Sequence, residues 1–209
     1  LHAPIYKLGE HFYVENQKGT YFDYRGSIMI DKIELAMAGE HQMANAALAI
    51  TAAHLYLESF NAQKVKLALQ HAKWEGRFEK VDHNIILDGA HNSEGTTALI
   101  NTLKETAPQH KVKFVYAALQ DKDHGVSIKL MDDVASEMHF TQISLPRAAT
   151  AGQLYEQSTH SKKFMHSNWQ ELIEKEMNHL AEDELLVITG SLYFIAEVRS
   201  LFAERGWIA

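Results

Sequence analysis

Asp88-Gly89-Ala90-His91-Asn92 places a carboxylate, a small hinge, an imidazole and a helix-capping amide in five consecutive residues. The run follows an apolar β-type stretch, Ile85–Leu87, and precedes a helical pattern. In an open α/β sheet, ligands bind at the carboxyl ends of strands. A helix N-terminus at that place adds unpaired backbone N–H groups and a positive dipole end, which favour phosphate or carboxylate. The segment therefore reads as a nucleotide or anion site. Asp88 suits a ribose, since a carboxylate can accept from two vicinal hydroxyls, and His91 suits an anion or a developing charge. The plainer alternative, a turn carboxylate beside a loop imidazole, carries equal weight on these residues alone.

Four other places could carry chemistry. Arg77, in Gly76-Arg77-Phe78-Glu79, offers a planar fork for phosphate or carboxylate, with a salt bridge to Glu75 or Glu79 as the structural alternative. Asn45 is a single amide on an otherwise apolar helical stretch and needs a partner. That partner is either an internal hydrogen bond or a base edge. Gly190-Ser191-Leu192-Tyr193 repeats the strand-to-helix junction, and Ser191 either caps the helix or binds a carboxylate there. Asp121-Lys122-Asp123, at a further strand end, is a solvated turn by default and site-lining otherwise. No phosphate loop of the Gly-x-x-x-x-Gly-Lys-[Ser/Thr] kind occurs, and no His-Glu-x-x-His spacing occurs among the thirteen histidines.

Elements that position these residues follow from periodicity. Residues 1 to 30 read as short β-segments, Phe12–Val14, Tyr21–Tyr24 and Ser27–Ile30, with Glu34–Met37 as one more. From Gln42 the period becomes helical, and the stretch is apolar on both faces, which predicts a buried helix. A second helix is expected over Ala62–Ala72, capped by Asn61, with Val65, Leu67, Ala68 and Leu69 inside. After a junction at Trp74–Glu79, strand-like runs (Ile85–Leu87, Val112–Ala117, Met138–Ser144, Lys163–Met165, Leu185–Thr189) alternate with helical ones (Thr96–Thr106, Val126–Ala135, Gly152–Ser158, Trp169–Leu180, Leu192–Arg205). That alternation predicts an α/β fold, a mostly parallel sheet flanked by helices on both faces.

Composition narrows the classes. At 46% apolar and 22% charged, the 209 residues can bury a real core. A formal charge of −7, with no basic patch interleaved with aromatics, argues against nucleic acid as a partner. The absence of cysteine fits a reducing compartment such as the cytoplasm. No apolar run reaches membrane-spanning length, and no signal peptide is visible. The chain opens at Leu1, mid-pattern, which suggests a piece of a longer polypeptide, natural or engineered.

Six segments occur in order: Gly39-Glu-His41-Gln42-Met-Ala-Asn45-Ala, Trp74-Glu-Gly76-Arg77-Phe-Glu79, Ile86-Leu-Asp88-Gly-Ala-His91-Asn92, Asp121-Lys-Asp123, Pro146-Arg147-Ala and Thr189-Gly190-Ser191-Leu-Tyr193. Together they resemble the C-terminal half of folylpolyglutamate synthase and dihydrofolate synthase, members of the Mur ligase superfamily. The resemblance implies an ATP-dependent ligase that joins L-glutamate to folate or dihydropteroate through an acyl phosphate. It implies a Rossmann-like C-terminal domain over 74–209, preceded over 1–73 by the end of an α/β ATPase-type central domain. By position, Asn45 matches a contact on the adenine side of ATP, Arg77 a phosphate contact, and Asp88 a ribose contact. His91 and Ser191 match positions at the glutamate and the reaction centre. Mg2+ ligands and the phosphate loop are expected outside this chain, in the N-terminal half, so the piece alone is expected to be inactive. Ser93 stands where the family usually has proline, a change that a first-turn serine tolerates. Two other readings remain: another Mur-type amino-acid ligase, and a non-catalytic nucleotide-binding or regulatory module.

Overall fold

The computed structural model describes residues 3–82, 84–122 and 124–208. Its contacts divide the chain into two compact units, Leu1–Trp74 and Glu75–Ala209. The first is a three-stranded antiparallel meander, β1 (Tyr13–Lys18), β2 (Tyr21–Arg25) and β3 (Met29–Glu34), with two helices, α1 (Glu40–Tyr56) and α2 (Ala62–His71). Along β2, Phe22 and Tyr24 alternate inward and pack with Phe12, Ile30 and Ile33 against Met43, Ala47 and Ile50 of α1. The buried Tyr24 hydroxyl is satisfied by Thr51 Oγ1 at 2.8 Å, which in turn donates to the Ala47 carbonyl.

Three expectations for this unit are corrected. Residues 27–37 hold one strand in place of two: β3 starts at Met29, continues through Lys32 in a left-handed conformation (φ 53°) and ends at Glu34. Helix α1 buries only one face; Leu48, Leu55 and Tyr56 on the other are about half to nine-tenths exposed. Helix α2 is capped by Asn61 as expected, but none of its residues is fully buried and Leu67 and Ala68 face solvent. In both helices apolar content overstated burial, since periodicity does not say whether a neighbour covers a face.

The second unit is a six-stranded sheet: β4 (Glu79–Asp82), β5 (Ile85–Asp88), β6 (Lys111–Tyr116), β7 (Ala135–Phe140), β8 (Lys163–Met165) and β9 (Glu184–Thr189). The spatial order is β4-β5-β9-β6-β7-β8, and every pairing is parallel except the antiparallel edge strand β4. Helices α3 (Ser93–Thr106), α4 (His124–Asp132) and α5 (Ala151–Gln157) pack in one layer. On the opposite face, α6 (Trp169–His179) and α7 (Leu192–Glu204) pack on Ile85, Leu87, Val115, Leu186 and Ile188. The central strands are buried on both faces and so read as continuous apolar runs. Strand β4 was not anticipated, because Glu-Lys-Val-Asp carries no β signal, and β7 begins three residues earlier than its apolar run suggested. No helix among the described residues is long and apolar enough to cross a membrane.

The second unit owns a complete two-sided core, so residues 75–209 produced alone are expected to unfold in one cooperative thermal transition with near-ultraviolet circular dichroism retained below it. A fragment that shows helical signal without that transition would contradict a self-sufficient unit.

Candidate active site at the carboxyl ends of β5, β9 and β6

Strand β9, last in sequence, inserts between β5 and β6, so Thr189 pairs with Asp88 on one side and Tyr116 on the other. The segments that follow these three strands therefore emerge side by side, at the point where an open sheet makes its ligand crevice.

Asp88 ends β5. Its Oδ2 accepts from the Phe78 N–H at 2.7 Å and its Oδ1 from the Ala90 N–H at 2.8 Å. The first bond holds Phe78 in a left-handed conformation (φ 45°) that bulky residues rarely adopt. The neighbouring Gly89 N–H donates to the Gly76 carbonyl at 2.8 Å, and Gly76 N–H donates to Glu79 Oε2 at 2.8 Å. The Gly76–Glu79 loop is thereby strapped to the turn after β5. Arg199 forms ion pairs with both Glu75 and Glu79. The carboxylates that offered Arg77 a salt bridge are thus taken, and Arg77 has no ion pair among the described residues. Its guanidinium lies against the turn: a Cβ at position 89 would be 3.1 Å from Arg77 Nη1.

His91 follows, half-buried, with Nδ1 3.0 Å from the Gly89 carbonyl oxygen. That oxygen only accepts, so Nδ1 carries the proton and, in the neutral ring, Nε2 is the acceptor. Asn92 caps α3, its Oδ1 accepting from Gly95 N–H at 2.8 Å, and Ser93 takes the first helical position. After β9, Gly190 adopts φ 114°, and a Cβ there would sit 2.4 Å from the Ala117 carbonyl oxygen. Only glycine allows the chain this approach to the end of β6. Ser191 is buried and caps α7 by accepting from Tyr193 N–H at 3.2 Å. Its hydroxyl hydrogen remains available to a ligand oxygen.

These junctions surround a cavity of about 200 Å³ whose walls include His91, Asp121, Lys122, Arg147, Ser191 and Tyr193. Lys122 and Arg147 supply two cations, and the N-terminus of α7 adds a positive dipole end. Arg147 reaches the site by lying over the Tyr193 ring, 5.4 Å from its centroid, while its Nη2 donates to the Tyr193 hydroxyl at 3.2 Å. The backbone behind Arg147 is pinned by its carbonyl, which accepts from Gln120 N–H at 2.8 Å. Of the five residues singled out from sequence, His91 and Ser191 share this cavity, and Arg77 and Asp88 flank it through the Gly89 turn. Asn45 lies in the first unit, exposed on α1, where it donates to Gln42 Oε1 at 3.3 Å. Asp123 lies outside the described residues. Sequence reasoning quoted Arg147 within a motif but gave neither it nor Tyr193 a role. Their partnership spans 46 residues and has no local signal.

A mostly parallel sheet with a cavity carrying Lys122 and Arg147 at its topological switch point has the frame of an open-sheet α/β domain with a strand-end crevice. Residues 76–192 match the Mur ligase, glutamate ligase domain. The match covers more than half of the chain, and the chain belongs to this family. The dihydrofolate synthase/folylpolyglutamate synthase of Bacillus subtilis is 33% identical over 91% of this chain and 44% of its own length. The folylpolyglutamate synthase of Mycobacterium tuberculosis, solved with ADP, superposes at a TM-score of 0.85 with 23% identity, over 93% of this chain and 48% of that one. A bifunctional folylpolyglutamate synthase/dihydrofolate synthase solved with Mn, AMPPNP and L-glutamate gives 0.82 at 24% identity, over 95% and 47%. The chain spans about half the length of the curated relatives it matches.

Two substitutions test the local construction. Gly190→Ala forces a Cβ against a carbonyl at a left-handed φ and is expected to destabilise the second unit by about 2 kcal/mol, read from the denaturant midpoint. Asp88→Asn turns an amide N–H₂ toward a backbone N–H and is expected to cost about 1–3 kcal/mol. Unchanged midpoints would show that neither strap holds the junction.

Proposed function

We propose that this chain is the glutamate-handling part of an ATP-dependent ligase that adds L-glutamate to folate or dihydropteroate, with the phosphate loop and Mg2+ ligands on a preceding half. The observation that carries the reading is the convergence of His91, Ser191, Lys122 and Arg147 on one small cavity. Glutamate brings two carboxylates and an amine. The paired guanidinium and ammonium offer charge-assisted hydrogen bonds to the carboxylates. The buried Ser191 hydroxyl and the α7 N-terminus orient the end nearest the sheet. His91, with Nε2 as its acceptor nitrogen, stands where the attacking amine must shed a proton. Arg77 and Asp88 serve nucleotide phosphate and ribose, and Asn45 the adenine side.

In this reading ATP supplies the phosphoryl group that activates the acceptor carboxylate, bound mainly by the preceding half. The second apolar stripe of α1, Leu48, Leu55 and Tyr56, supports the same division, since such a helix is usually part of a larger core. The chain alone then binds MgATP weakly and turns nothing over. Tight MgATP binding by calorimetry would contradict this.

The direct test uses the longer protein that contains this chain, assayed with dihydropteroate, a folate and, as a control, a muramyl nucleotide. Arg147→Ala is expected to raise KM for glutamate about ten- to a hundredfold while KM for ATP changes little. Arg77→Ala should do the reverse. Equal effects of both substitutions on both substrates, or activity on the muramyl acceptor alone, would overturn the assignment.

A further inference from the structure

The sheet face under α6 carries a charged cluster that the proposed reaction does not use. Glu137 and His139, two apart on β7, project from the same face, and Glu176 descends onto it from α6. Lys113 from β6 and Glu184 from β9 complete the group. Lys113, His139 and Glu176 are all more than nine-tenths buried. Lys113 Nζ lies 3.1 Å from Glu184 Oε2 but 3.4 Å from Glu176 Oε2 and 3.8 Å from Glu137 Oε2. One ammonium thus serves three carboxylates, in ion-pair range of each and hydrogen-bonded to Glu176 at 3.4 Å. Charges withdrawn from water are costly unless balanced, and two here lack a counter-charge.

His139 supplies an independent pointer. Its Nδ1 lies 3.1 Å from Nε2 of His166, and the two rings stack at 5.3 Å. Its Nε2 is buried without a hydrogen-bond partner, 3.5 Å from Glu137 Oε2. If Nδ1–H donates to His166, Nε2 presents a lone pair to a carboxylate oxygen, a repulsive contact unless a cation lies between them. One ring nitrogen of His139 and a carboxylate oxygen from each of Glu137 and Glu176 all lie within 4.8 Å of one another.

We propose that Glu137, His139 and Glu176 bind one divalent first-row transition-metal ion, with His166 fixing the imidazole through its other nitrogen. One imidazole with two carboxylates suits zinc or manganese better than the all-oxygen preference of calcium and magnesium. A hydrogen-bonded second nitrogen is the usual support of a ligating histidine. Bonds of about 2.0–2.2 Å require the three side chains to draw in, while Lys113 stays with Glu184. A doubly charged ion then cancels the two uncompensated carboxylates. The ion would staple β7 to α6, remote from the strand-end cavity. His166 also lines a surface cleft of about 260 Å³.

The test is calorimetric titration of Zn2+ alone into the 209-residue chain at neutral pH, with variants. One saturable site is expected, at least tenfold weaker in Glu176→Gln and tenfold or more weaker in the partly exposed His166→Ala. It should be unchanged in His11→Ala, a histidine of the first unit. Lys113→Met should strengthen binding, because it removes a competing positive charge. Three results would overturn the proposal: no saturable binding to the native chain, affinity unaffected by both Glu176→Gln and His166→Ala, or binding only in Lys113→Met. The last would identify Lys113 as the cation the cluster was built around, with Nε2–H of His139 donated to Glu137.

Discussion

The insertion of β9 between β5 and β6 is the constraint on which the site depends. It makes Thr189 the shared neighbour of Asp88 and Tyr116 and so forces three polar junctions into one crevice. The insertion is tolerated because Ile85–Leu87, Phe114–Tyr116 and Leu185–Ile188 are buried on both faces and pack under helices on each side. It leaves little room where the strands end. Gly190 can pass the Ala117 carbonyl only because it has no side chain. Ser191 is then delivered to the wall of the cavity as the cap of α7. The same hydroxyl that caps the start of α7 thus lines the cavity.

Asp88 shows the same economy. Its carboxylate closes the turn through Ala90 and straps down the Phe78 loop, and the strap positions Arg77 over Gly89. With Arg199 occupying Glu75 and Glu79, the Arg77 guanidinium is left to other partners. An arginine released from its nearest carboxylates by another arginine is suited to an incoming anion. Loss of Asp88 would therefore release Arg77 from the Gly89 turn as well as remove the carboxylate itself.

Much of the second unit was legible in sequence because its strands are apolar runs bounded by turn residues, and its helices start at Asn92, Thr150, Asn168 and Ser191, all capping types. Strand β4 was not legible, since Val81 is the one apolar residue of its four and they pair only because β5 offers an edge. The exposed faces of α1 and α2 were misjudged because apolar content does not reveal whether a neighbour is present to cover it. At the site, His91 and Ser191 were readable from their strand-to-helix junctions. Arg147 and Tyr193 were not, because they meet only once β9 and α7 are in place. The Lys113 cluster was invisible for the same reason, its members coming from β6, β7, β9 and α6.

The most direct measurement is a crystal structure of the longer protein with an ATP analogue and L-glutamate. The account predicts glutamate density hydrogen-bonded to Ser191 and Arg147, with its amine facing His91. Glutamate bound elsewhere, with the His91–Ser191–Arg147 cavity filled by water or by the nucleotide, would contradict it.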